Sequence, residues 1–134
     1  MPPSFLLALA HAEVSMQKVN LREKFQLIHE YWSPKIAGQL NGQYLKIAKF
    51  KGEFVWHHHE TEDELFLVTK GSLTIRFRDG DVTLEEGEFI VVPAGVDHMP
   101  VAFEEVHAIL LEPRSTLNTG NVTNERTLPE LDWI

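Results

Sequence analysis

Ser72-Leu73-Thr74-Ile75-Arg76-Phe77-Arg78-Asp79-Gly80-Asp81-Val82-Thr83-Leu84-Glu85 is two strand-like runs around an Asp-Gly pair. Asp-Gly supplies the backbone conformations of a two-residue hairpin loop, so the stretch reads as a β-hairpin turning between Arg78 and Asp81. Outward from it, turn signals at Asn41-Gly42, Lys51-Gly52, Lys70-Gly71, Glu86-Gly87 and Pro93-Ala94-Gly95 mark off further runs. The expected strands are 43–51, 54–59, 64–69, 72–78, 81–85, 88–92, 98–102 and 106–112. Short strands at this regular spacing imply a small antiparallel sandwich or barrel rather than an α/β fold. Ahead of them Asn20 and Glu23 resemble a capping box, Leu21, Phe25 and Ile28 share one helical face, and Ser33-Pro34 stops the helix.

A chain of 134 residues with 43% hydrophobic content suits one domain. Residues 1–15 read as an N-terminal extension, 16–42 as a helix and lead-in, 43–113 as the barrel, and 114–134 as a tail packing on the barrel or on a partner subunit. The formal charge of −8, with no basic stripe, offers no footprint for nucleic acid. No cysteine is present, so histidine and carboxylate must supply any metal chemistry. The run Phe5 to Ala10 is short for a signal-peptide core and has no Lys or Arg before it, and no stretch approaches the roughly 20 apolar residues of a membrane span. A cytoplasmic protein with no membrane partner is expected.

Chemistry concentrates in Val55-Trp56-His57-His58-His59-Glu60-Thr61-Glu62-Asp63-Glu64-Leu65-Phe66. Residues two apart on a strand point the same way, so His57 and His59 can share a partner while His58 faces solvent or an interface. A turn at residues 60–63 can bring Glu64 beside them, giving two nitrogens and a carboxylate suited to a divalent first-row metal. The competing reading is a polar turn that binds metal adventitiously. His98, just after the turn in Gly87 to His98, is placed to reach into a barrel mouth, although a lone histidine there also serves as an ordinary structural residue. Asp63 is a candidate for orienting a ligand, His107 for a core or surface place, and Val55, Phe66, Val68, Ile75 and Tyr44 for pocket lining. Several strands are apolar on both faces, so one face needs cover from the helix, the tail or a second copy, and a homodimer is expected.

The spacing His57-x-His59-x4-Glu64-x6-Gly71, followed by Gly87-x5-Pro93-x-Gly95-x2-His98, resembles the two motifs of the cupin superfamily, over about residues 43–112. The gap between the motifs resembles that of small single-domain cupins. The resemblance implies an antiparallel jelly-roll β-barrel, often dimeric, with one divalent transition metal (Fe, Mn, Ni or Zn) held by His57, His59, Glu64 and His98. Two departures stand out: Gly52 precedes His57 by one residue fewer than usual, and Ala102 stands where Asn is common, which leaves the substrate open. Cupins include dioxygenases and sugar isomerases or epimerases, so the resemblance implies a metal-dependent enzyme of one of these kinds acting on a small-molecule ligand. The alternative is a non-catalytic small-molecule or metal-binding module. No second buried carboxylate is legible as a general base, which favours oxygen chemistry or a metal-bound hydroxide.

Overall fold

The computed structural model describes residues 16–134, so the Phe5 to Ala10 run lies outside the described residues. Asn20 caps a short helix α1 (Leu21–Gln26), its side-chain oxygen accepting from the Glu23 N–H at 3.0 Å. Seven strands follow: β1 (Lys35–Leu40), β2 (Gln43–Glu53), β3 (Glu64–Lys70), β4 (Leu73–Phe77), β5 (Gly80–Leu84), β6 (Phe89–Val92) and β7 (His98–Pro113). All pairings are antiparallel in the order β1-β2-β7-β3-β6, with β4 joining β7 to β5.

Four expectations are revised. The sheet starts before Gln43: Asn41 and Gly42, both at positive φ, form the tight turn that pairs β1 with β2. Residues 98–102 and 106–112 are one continuous strand, whose register against β2 shifts between Phe50 and Gly52 so that the extra residues of the bulge lie on β7. The β4–β5 loop is Arg78-Asp79, one residue early, because Phe77 pairs with Gly80. Finally, residues 54–59 form no regular strand and the sheet does not close into a hydrogen-bonded barrel; His57 makes a single bridge to His98. The physical reason is competition for the backbone: the Val55 carbonyl is taken by the His57 ring and both backbone groups of His58 by Asn121.

Alternation on β3 buries Glu64, Phe66 and Val68 on the inner face and leaves Leu65 and Leu67 half-exposed. Phe66 and Val68 join Phe50, Leu73, Ile75, Leu84 and Trp32 in the main core, and Glu64 sits at its end. Outside the sheet, Phe25 and Ile28 from the N-terminal segment pack on Ile47 of β2 in a second cluster. Beyond β7 the tail folds back on its own chain, where the Ile36 N–H donates to Asp132 and the Ile134 N–H to Ile36.

Candidate metal centre

His57 and His98 exchange both backbone hydrogen bonds, at 3.0 and 2.9 Å, and residues so paired point their side chains to the same side. Their rings lie 4.3 Å apart between centroids. His59, two residues on, turns inward with them, held by the Gly95 N–H on its carbonyl at 2.7 Å. Glu64 enters as the first residue of β3. All four side chains are buried, and one ligand atom from each lies within 4.8 Å of the others. Strand alternation suggests the first three and the resemblance to cupins implies the full set; the fold brings all four side chains together.

Tautomers follow from the hydrogen bonds. The Nδ1 of His57 lies 2.9 Å from the Val55 carbonyl and that of His98 lies 2.8 Å from the Val96 carbonyl. A carbonyl oxygen only accepts, so each Nδ1 carries the proton and each Nε2 turns a lone pair inward. Burial, then the neighbouring His98, lowers the His57 imidazole to about 4, favouring its neutral form. Burial works to raise Glu64, but the imidazoles of His59 and His98 outweigh it and hold this carboxyl well below its ordinary range.

The set fits a cation on a direct observation. His59 Nε2 and His98 Nε2 lie 3.2 and 3.4 Å from Glu64 Oε1, close but not aligned as hydrogen bonds. Both nitrogens of His59, Nε2 of His98 and Oε1 of Glu64 are buried with no hydrogen-bond partner among the described residues. Leaving such groups unpaired costs about 1–3 kcal/mol each, and one ion with N and O ligands would serve several of them at once.

A small cavity of about 30 Å³ adjoins the cluster, lined by His57 and Glu64 and by the aromatic rings of Trp32, Phe50, Phe54 and Phe66. Glu112 also lines it and is 2% exposed. This is the second buried carboxylate that sequence reasoning missed. Lys46 Nζ holds its Oε1 at 2.7 Å, while burial and the charge of Glu64 push the Glu112 carboxyl well above its ordinary value. Opposite charges within the otherwise apolar ends of β2 and β7 were the available signal, but their partnership depends on a register that only the folded sheet supplies.

Other candidates fall outside the cluster. His58 faces away and meets Asp97 and Glu60 at 2.9 and 2.7 Å. Asp63 accepts from the Ala94 N–H at 2.9 Å, fixing the turn before His98. His107 stacks on Phe25 outside the sheet, Tyr44 packs edge-on against Trp133, and Ile75 belongs to the core. A contribution not legible in the sequence is the tail: Asn121 bonds both backbone groups of His58, and a Cβ at Gly120 would strike the His58 carbonyl.

Comparison with known proteins agrees with this geometry. The family model described as Cupin domain matches residues 45–112. A cupin-2 domain containing protein from Shewanella frigidimarina NCIMB 400 superposes with a TM-score of 0.71 at 45% identity, over 72% of this chain and 94% of that one. Protein NMB1881 from Neisseria meningitidis gives a TM-score of 0.67 at 32% identity, over 72% and 99%. Uncharacterized protein YdbB of Bacillus subtilis (strain 168) is 38% identical over 61 residues, 45% of this chain, and this chain covers 54% of its length, about half.

Proposed function

We propose that this chain, which belongs to the cupin domain family, binds one divalent metal through His57, His59, Glu64 and His98 and uses it on a small molecule. The carrying observation is the buried convergence of four donors, with inward atoms of His59, Glu64 and His98 left without a hydrogen-bond partner among the described residues. An iron, manganese, nickel or zinc ion fits three imidazoles and a carboxylate, and when bound would supply an electrophilic centre with open positions. Val55 and Val96 orient the two rings through their Nδ1 protons, which keeps the Nε2 lone pairs available. Glu64 brings the negative charge, and Trp32, Phe54 and Phe66 exclude bulk water from the neighbouring cavity.

That cavity is sized for a water or a diatomic molecule rather than a sugar, which supports oxygen chemistry. Glu112 supports the second reading, a sugar isomerase or epimerase, because it places a second carboxylate beside Glu64, held by Lys46. Elemental analysis of protein made without a histidine tag should find about one metal per chain, and much less in His57→Ala and His98→Ala. Unchanged metal in both variants overturns the coordination. Oxygen uptake by iron-loaded protein with enediols or diketones, against isomerisation of sugar phosphates, separates the two enzymes. Tight ligand binding with neither activity would leave a non-catalytic binding module.

The homodimer is proposed on the outer face where Leu65 and Leu67 of β3 pair with the exposed Val91 and Phe89 of β6. Light scattering should give a dimer mass, reduced to that of a monomer by Val91→Glu. A monomeric parent protein would refute it.

A further inference from the structure

Lys46 is 1% exposed, yet its ammonium meets a single protein acceptor among the described residues, Glu112 Oε1. An ammonium has three N–H donors, and a buried one left short of partners is expensive. On its other side Lys46 lines an open-mouthed cavity of about 290 Å³, separated from the metal cluster by the Lys46–Glu112 pair and walled in part by the tail. The remaining polar lining is dominated by donors. Thr116 is 7% exposed with its Oγ1 lacking any partner, and neither the Tyr44 hydroxyl nor the Arg114 guanidinium has an acceptor among the described residues. Among the described residues Glu130 is the one acid that lines this cavity, and it is exposed and makes no ion pair there. Leu128 and Trp133 complete an apolar wall.

A chamber with a surplus of donors calls for an occupant rich in acceptors. Water satisfies donors individually, but a free guanidinium beside a buried ammonium favours a negative charge, and arginine matches carboxylate and phosphate with two parallel bonds. The volume lies near the low end of small-molecule sites, roughly 300 Å³ upward.

We infer that the Tyr44–Lys46–Arg114–Thr116 chamber is a second binding site, distinct from the metal centre, for a small organic oxyanion whose head group meets Arg114 and Thr116 and whose apolar body lies on Leu128 and Trp133. The inference does not depend on metal binding. Calorimetric titration of the full chain with benzoate and with phenyl phosphate tests it and tells a carboxylate source from a phosphate one, with benzamide as the uncharged control. Saturable binding of at least one anion is expected, with none for benzamide. Arg114→Ala should weaken it at least about tenfold, the size of a lost charge-assisted bond. Arg114→Lys should restore part of the loss, Thr116→Val should weaken it less, and His57→Ala should leave it intact. Arg114 is exposed, so its variants are expected to fold. Binding by neither anion, binding unchanged in Arg114→Ala, or binding lost in His57→Ala would each overturn the assignment.

Discussion

Asn121 closes on His58 twice: its side-chain oxygen accepts from the His58 N–H at 2.9 Å, and its own N–H donates to the His58 carbonyl at 3.0 Å. His58 lies between two of the proposed ligands, and His98 holds His57 through the neighbouring backbone pair. The tail therefore grips the site from outside the stretch matched by the family model. Asn121→Ala should weaken metal binding about tenfold, the lower end for residues that orient ligands. Asn121→Asp, which keeps the accepting oxygen, should recover most of it. Chelator competition, with circular dichroism to verify the fold, measures both; equal affinity in all three proteins would show that the grip does not reach the metal.

The Lys46–Glu112 pair gives a stability prediction. Lys46→Met leaves Glu112 buried without its cation. Breaking a buried pair usually costs about 3–5 kcal/mol, but a carboxyl already pushed toward its protonated form can stay neutral, so about 1–3 kcal/mol is expected here. Lys46→Met combined with Glu112→Leu should recover most of that in urea unfolding. A double variant less stable than the single would contradict this account.

On β7, Glu105 accepts from the Tyr31 hydroxyl at 2.7 Å and sits 2.8 Å from His107 Nε2. The His107 contact first, then the Tyr31 bond, lowers its carboxyl to about 2 from 4.5. A depressed folded value means the stabilisation is fully present above about pH 4.5 and is lost as pH falls through about 2. Glu105→Gln should thus be less stable than the parent at neutral pH, with the gap narrowing below pH 4.5. A gap that stays constant down to pH 2 would remove Glu105 as its source.

Trp32 stacks on Phe50 and Phe54 at 4.4 and 4.9 Å, and its Nε1 donates to the Lys51 carbonyl at 2.8 Å. Trp32→Ala should cost about 3–5 kcal/mol through the void it leaves. Trp32→Phe keeps most of the packing but strands that carbonyl, costing about 1 kcal/mol for the hydrogen bond plus the smaller ring's lost contact. The denaturant midpoint reports both, and an unshifted midpoint for the alanine variant would remove Trp32 from the core.

What the sequence made legible was what alternation and short turns encode. Glu64, Phe66 and Val68 fall on one face because strand periodicity puts them there; His57 and His59 converge as their spacing suggested, but through the His57–His98 bridge and the Gly95 N–H on His59 rather than through a regular strand. β1 was legible in principle, since Asn41-Gly42 implies a strand on each side, but Lys35 to Leu40 is weakly patterned around Gly38. The irregular backbone of residues 54–59 was not legible, because its hydrogen-bond partners are side chains and the distant Asn121. Nor was Glu112, whose meaning depends on neighbours across β2 and β3 rather than along its own strand.

One long strand also sets an order of events. β7 is the shared neighbour of β2, β3 and β4, and it is the last strand in the chain. During synthesis His57, His59 and Glu64 leave the ribosome well before His98, and the inner edges of three strands wait for a partner not yet made. Loop closure over such separations is slow, and unpaired edges invite wrong pairings meanwhile. Nascent chains arrested before residue 98 should therefore be protease-sensitive, and protection should arrive in one step once β7 has emerged.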